Sequence, residues 1–329
     1  MNKRRRLVFA IGAVPLLASL SCFAQQSSGS MLRLGFLGAE SQAGFEGRID
    51  ALRAGLRDLG YVEGKSLLIN FRWAEGDYAK LPYLATELVQ ASVNVIVAST
   101  SVAARAAQKA TSSIPIIMVN VSDPVAMGLV KSLARPGGNL TGISNVTNEL
   151  SAKHLEMIHS MVPKVPRIAA LSNPSNLAPA AFVKNVQASA QKMGVKIYLA
   201  GAINPKELDN AFSQIVREKA GAVVIQGDPF FNQQRHRIAE LAAQYRLPLI
   251  GPNSEYAEAG ILMSYGVNRA ANFRRAATFV DKVFKGADPG NLPVEQPTKF
   301  ELVINKKTAN TLGLTIPQSL LISADKVIE

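Results

Sequence analysis

Small oxygen-bearing side chains follow directly after apolar runs at four places in the sequence. Ser99-Thr100-Ser101 follows VIVA (95–98), Ser122-Asp123-Pro124 follows IIMVNV (116–121), Asn173-Pro174 closes RIAALSN (167–173), and Asp228-Pro229 closes AGAVVIQGD (220–228). A helical pattern comes after each. Hydroxyls, amides and carboxylates at a strand end can do two things. They cap the next helix, with Pro favoured just inside it. They also line the place where open parallel sheets bind ligands, beside helix N-termini that carry free N–H groups and partial positive charge. Singly, each reads as a cap. As a set split between two series of strands, they describe a cleft suited to a small polar or zwitterionic solute.

Other chemistry lacks its residues. The sequence has no G-x-x-x-x-G-K-[ST] and no G-x-G-x-x-G, so the usual phosphate loops are missing. It has no H-E-x-x-H and no G-x-S-x-G elbow. His154 and His159 are five apart on a predicted helix, without an acidic ligand pattern, and His236 stands elsewhere. They read as surface or boundary residues rather than metal ligands. The pattern points away from an enzyme and implies no cofactor. Of the aromatic residues beside predicted loops (Trp73, Tyr78, Tyr83, Phe230, Phe231, Tyr256, Tyr265), the pair Phe230-Phe231 is the one expected in the cleft.

The elements that must hold these residues repeat from Leu32 onward: short apolar strand, polar loop, amphipathic helix. In 45–60, Ile49, Leu52, Leu56 and Leu59 recur at helical spacing and Gly60 stops the run. Further helices are expected over 81–91, 102–111, 125–134, 149–162, 179–194, 206–219, 233–246 and 270–286. Such alternation means α/β architecture with parallel sheets covered on both faces. About ten or eleven strands are too many for one ordinary sheet, and the series restarts near Gly142. Two similar lobes are expected.

The 329 residues suffice for two lobes with real cores, and 18% charged against 48% hydrophobic is ordinary for such a protein. The start is different. MNKRRR is a basic n-region, and LVFAIGAVPLLASLSCFA (7–24) is an apolar h-region ending in small residues before Gln25. This reads as a signal peptide over 1–24 cleaved after Ala24, and implies a periplasmic protein. Cys22 is the only cysteine, so cleavage leaves no thiol for a disulfide, a nucleophile or a metal site. Lipidation at Cys22 is the alternative, though Ser19-Leu20-Ser21 matches the usual lipoprotein pattern poorly. The formal charge of +12 includes Lys3, Arg4, Arg5 and Arg6. The remaining basic residues are spread through helices, which describes a solvated surface and no nucleic-acid partner.

Four longer stretches resemble one family. They are GLRDLGYVEGKSLLINFRWAEGD (55–77), IPIIMVNVSDPVAMGLVKSLARPGGNLTGIS (114–144), EAGILMSYGV (258–267) and LPVEQPTKFELVINKKTANTLGLTIPQSLL (292–321). They are similar to ABC-transporter substrate-binding proteins, whose members include tryptophan- and related amino-acid-binding proteins. The resemblance implies a periplasmic-binding fold of type I: two Rossmann-like lobes, three crossing segments and a ligand between the lobes. One lobe would be 32–145 plus 255–294, the other 146–254 plus 295–329, with TKFELVIN as the third crossing. Where family members read A-G-T-P-A-A, this chain has Ser99 to Ala104. Ser101 keeps the hydroxyl, Thr100 replaces a Gly and Val102 a Pro. By this resemblance Ser99, Thr100 and Ser101 take an anionic group at a helix N-terminus, and Asp228 takes a cationic one. Asp123, Ser41, Ser122, Asn145, Asn173, Asn176, Asn253 and Tyr265 complete the candidate set. The expected mechanism is capture by a monomer through hinge closure, followed by docking on an ABC permease driven by its ATPase, so that the membrane is met only through the permease. A sensor presenting its solute to a receptor is the alternative. A regulator of the lac-repressor type would need a helix-turn-helix ahead of Leu32, where the leader stands.

Overall fold

The structure is a computed structural model whose described residues are 31–176 and 179–329. The leader expected over 1–24 lies outside them. Apolar runs form strands and amphipathic runs form helices in strict succession. The chain begins β1 (Leu32–Gly38), α1 (Glu46–Asp58), β2 (Leu67–Trp73), α2 (Leu81–Gln90), β3 (Val95–Ser99), α3 (Ser101–Ala110), β4 (Ile116–Ser122) and β5 (Leu140–Asn145). It continues α4 (Thr147–Met161), β6 (Arg167–Ser172), α5 (Pro179–Met193), β7 (Lys196–Gly201), α6 (Pro205–Arg217) and β8 (Val223–Ile225). Then come α7 (Pro229–Gln233), α8 (Arg235–Gln244), β9 (Leu249–Gly251), α9 (Ser254–Glu258), β10 (Met263–Val267) and α10 (Arg269–Phe284). The chain closes with β11 (Phe300–Asn305), α11 (Lys306–Leu312), α12 (Gln318–Ser323) and β12 (Lys326–Ile328).

The strands form two sheets. The first runs β2-β1-β3-β4-β5 and the second β12-β11-β10-β9-β8-β6-β7. All pairings are parallel except β10 with β11. Each sheet has an apolar layer on both faces, as buried parallel strands require. In the first lobe α2 and α3 cover one face, while α1 and α10 cover the other through Ile49, Leu52, Phe273, Phe279 and Val280. In the second lobe α6 and α8 cover one face, and α4, α5 and α11 the other. The chain passes between the sheets after β5, after β10 and before β11. The first and third passages run side by side: Ser144 N donates to Glu295 O, and Glu295 N to Gly142 O, both at 2.9 Å.

Two expectations need correction. The lobe boundary expected at 255 falls later. β10 is a central strand of the second sheet, with Met263 opposite Ile250 on one side and Ile304 on the other, so 255–267 belongs to the second lobe. The helix expected over 125–134 is a succession of turns. Gly128 takes φ 64° there, and side chains of α3 occupy carbonyls that a helix would need: Arg105 holds Met127 O and Gln108 holds Leu129 O. The helix expected over 233–246 is present as α8, and a short α7 that the pattern did not show precedes it, separated at Gln234.

Candidate functional site

The cleft between the sheets is built from strand ends, and its first wall begins at Thr100. This residue has φ 87° and ψ 164°, a region that glycine occupies and a β-branched residue enters only under strain. It precedes α3, whose first helical bond runs from Ala104 N to Thr100 O. The amides ahead of Ala104 are left free by the helix, and no side chain caps them. The Thr100 hydroxyl is buried without a partner. Next to it, β4 carries a bulge between Val119 and Val121. The extra residue, Asn120, sits at φ 59°, a left-handed conformation that Asn tolerates. Its Oδ1 accepts from Asn272, while its Nδ2 is buried without a partner. Thr100 is 8% and Asn120 7% exposed. Ser101 Oγ accepts from Ser122 N, and Ser122 Oγ donates to Asn145 Oδ1 at 2.7 Å, which ties the three strand ends into one surface.

Strain held at Thr100 makes a testable pair of effects. Thr100→Gly relieves a cost of about 1–3 kcal/mol and gives back about 0.4–1 kcal/mol through the more flexible unfolded chain. Chemical denaturation should therefore show a gain near 1 kcal/mol, while solute affinity falls with the loss of the hydroxyl. A variant that is both less stable and unaltered in binding would contradict this role.

The second wall centres on Asp228, in the turn that leads from β8 to α7. Its carboxylate caps α7 through Phe230 N and Phe231 N. It also accepts from Asn173 Nδ2 at 3.0 Å, Asn176 Nδ2 at 2.8 Å and the Tyr78 hydroxyl at 3.2 Å. Burial pushes its carboxyl above the usual range, and these hydrogen bonds only partly offset that. Tyr78 belongs to the first lobe. Burial and the Asp228 charge push its phenol upward, so it stays a donor. Its oxygen also accepts from Phe230 N, and its ring packs against the cores of both lobes.

A second connection between the lobes is ionic. Glu40, just past β1, takes Arg48 on both carboxylate oxygens at 3.2 and 3.0 Å, Arg269 at 2.8 Å and Asn232 Nδ2 at 2.6 Å. Arg48 also pairs with Glu255 of the second lobe at 3.0 Å, and its guanidinium lies 3.7 Å over the Phe45 ring. Burial alone would raise the Glu40 carboxyl. The charges of Arg269 and Arg48 outweigh it and hold the group at about 2. These bonds span the cleft, so the structure is of the closed form.

The cleft is a concave pocket partly continuous with solvent, the kind of site that takes a small metabolite. Of the candidate residues, Thr100, Ser101, Ser122, Asn145, Asn176, Asp228 and Asn253 line it. Ser99 and Asn173 are buried behind that surface. Ser41, Asp123 and Tyr265 are not in the lining. Asp123 is exposed and receives Ala126 N; Tyr265 is paired within β10. The expected Phe230-Phe231 pair is instead part of the second lobe's core, drawn inward by the one-turn helix that Asp228 caps. His154, expected near the surface, is fully buried.

Sequence reasoning missed Glu40, Asn120, Asn232 and Arg269, all of which line the cleft. Arg269 had a signal: it opens α10, where a positive charge opposes the helix dipole. So did Asn120, an amide inside an otherwise apolar strand.

The ABC transporter substrate-binding protein family matches residues 41–328, nearly all of the described chain. The chain belongs to that family. The tyrosine-binding protein of Clostridioides difficile (strain R20291) is 29% identical over 259 residues, which is 79% of this chain and 74% of that one. A conserved domain protein from Vibrio cholerae O1 biovar El Tor superposes with a TM-score of 0.85 at 29% identity, over 90% of this chain and 99% of the other. The ABC domain of Streptococcus pneumoniae in complex with L-Trp gives 0.84 at 27% identity, over 91% and 100%. The fold of this substrate-binding protein is thus the type I periplasmic-binding fold, in which paired lobes enclose a small molecule for a partner ABC permease. Among the described residues, no helix is long and apolar enough to cross a membrane.

Proposed function

We propose that this substrate-binding protein captures an α-amino acid in the cleft and delivers it to an ABC permease. One observation carries the reading. The two walls of a single buried cleft offer opposite complements. The free amides of α3, the Thr100 hydroxyl and Asn120 Nδ2 are donors without partners, and Asp228 is a buried carboxylate whose charge is incompletely compensated. A solute carboxylate fits the first and a solute ammonium the second. Relatives named for tyrosine and crystallised with L-Trp support this class. In this reading residues 1–24 direct export, cleavage after Ala24 removes Cys22, and the mature protein works as a monomer that performs no chemistry on its solute.

Protein starting at Gln25, freed of bound solute by unfolding and refolding, should be titrated calorimetrically with a panel of amino acids, organic acids and sugars. Asp228→Asn keeps an acceptor for the α7 cap but removes the charge. It should weaken amino-acid binding by about 1.5–3 kcal/mol, the scale of a hydrogen bond to a charged group. Unchanged affinity in this variant would mean that Asp228 does not hold the ammonium. Binding of sugars alone would reject the amino-acid class.

A further inference from the structure

We propose, building on the amino-acid reading above, that the solute's side chain is short, non-aromatic and ends in a neutral oxygen acceptor, an amide or a hydroxyl. Three independent features of the cleft point to this class.

The first is the lining. Among the described residues it contains no aromatic ring, and its apolar members are only Val102, Pro229, Pro252 and Val267. The rings nearby serve elsewhere. Trp73 lies among Phe36, Phe45 and Phe71 in the first lobe's core. Tyr78 bridges the lobes, and Tyr256 is buried against Gly251. Binding an indole or phenol here would put a large apolar surface against amides and charges, where it gains little.

The second is the balance of donors and acceptors beside Glu40. Both Glu40 oxygens are occupied, and both amide hydrogens of Asn232 are taken, by Glu40 and by Glu255. Two donor groups facing the cleft keep free hydrogens. Arg269 gives Nη2 to Glu40, with its Nη1 3.8 Å from Glu255. Asn253 gives a single 3.3 Å bond to Asn232 Oδ1, which leaves one amide hydrogen. A side chain meeting this end is asked for an oxygen.

The third is charge. Glu40, Glu255 and Asp228 are three carboxylates against the two guanidiniums of Arg48 and Arg269. The cluster already carries one uncompensated negative charge. A zwitterionic backbone leaves that sum unchanged, and a carboxylate side chain would make it worse in a buried site. A cationic side chain would face Arg269. The acceptor is therefore neutral.

The test is calorimetric titration of solute-free wild-type protein with asparagine, glutamine, serine, threonine, alanine, aspartate, glutamate, tryptophan and tyrosine. Alanine presents the same backbone groups without the acceptor. At least one of the first four should bind about tenfold or more tighter than alanine, the worth of one hydrogen bond to a charged or buried donor, and tighter than tryptophan or tyrosine by at least as much. If an aromatic or acidic amino acid binds tightest, or alanine equals the best of the four, the side-chain assignment is wrong while the amino-acid reading stands. If no amino acid binds, both are wrong.

Discussion

Glu40→Ala is expected to cost about 3–5 kcal/mol of folding stability, the scale for breaking a buried ion pair from one side. The carboxylate is 1% exposed and, among the described residues, is the one negative group with hydrogen bonds to both Arg48 and Arg269. Without it two guanidiniums are left buried close together, sharing Glu255 as their one carboxylate among the described residues. Urea denaturation of solute-free protein measures the loss. A second variant separates this charge effect from lost packing. Glu40→Met combined with Arg48→Met removes one charge of each sign and leaves Arg269 with Glu255. It should be less damaging than Glu40→Met alone, a coupling that two independent sites would not show. The same group sets an acid limit. Its folded-state value of about 2 lies below the ordinary 4.5, so its contribution is complete above pH 4.5 and is lost as pH falls toward 2.

The second large effect lies at higher pH and belongs to His154. This residue of α4 is buried among the second lobe's apolar side chains. Nε2 meets the Tyr265 carbonyl at 2.6 Å, and Nδ1 has no partner. Burial holds the imidazole neutral and lowers it to about 4, against the raising effect of the Tyr265 carbonyl. Below pH 6.5 the unfolded chain binds a proton that the folded chain refuses, so stability falls as pH drops from 6.5 toward 4. The loss approaches about 3 kcal/mol at the lower end, because each pH unit between the two values is worth about 1.4 kcal/mol. His154→Gln keeps an N–H for the carbonyl and cannot titrate. Between pH 6.5 and 4.5, denaturation midpoints of that variant should fall clearly less than those of the wild type. A decline of equal slope in both would place the acid sensitivity elsewhere.

Much of this architecture was legible because it rests on local pattern. Short runs rich in β-branched residues and bounded by turn signals, such as VIVA and IIMVNV, read as buried strands, and the polar residues after them fall at one end of a sheet. That rule places Thr100, Ser101, Ser122, Asn145, Asn176, Asp228 and Asn253 in the cleft. The same rule covers Glu40, which stands just past LRLGFLG, once a charged residue is weighed beside the hydroxyls. What stayed hidden depends on partners distant in sequence. The stretch 125–134 has a helical pattern, but α3 takes its carbonyls. EAGILMSYGV says nothing of which sheet receives it. Part of the answer lies in Gly266, where a Cβ would overlap the Pro252 carbonyl, so that strand and cleft wall approach closely. Asn232 had no local signal at all, because its place comes from the turn of α7 and its bonds go to Glu40 and Glu255.

The two lobes are interleaved in the chain, and this governs how the protein can be made and unmade. α1 packs against α10, more than two hundred residues later, and Phe273, Phe279 and Val280 supply part of the first lobe's core. The second sheet receives β11 and β12 only from the last thirty residues. A chain emerging from its N-terminus therefore cannot complete the first lobe and set it aside while the second is synthesised. Both stay unfinished until nearly the whole polypeptide is present, in contrast to the usual domain-by-domain order. The same weaving acts in reverse: pulling α10 away strips the first lobe and severs its neighbour's connection to β10 and β11. The two lobes that face each other across the cleft are, for unfolding, one cooperative unit.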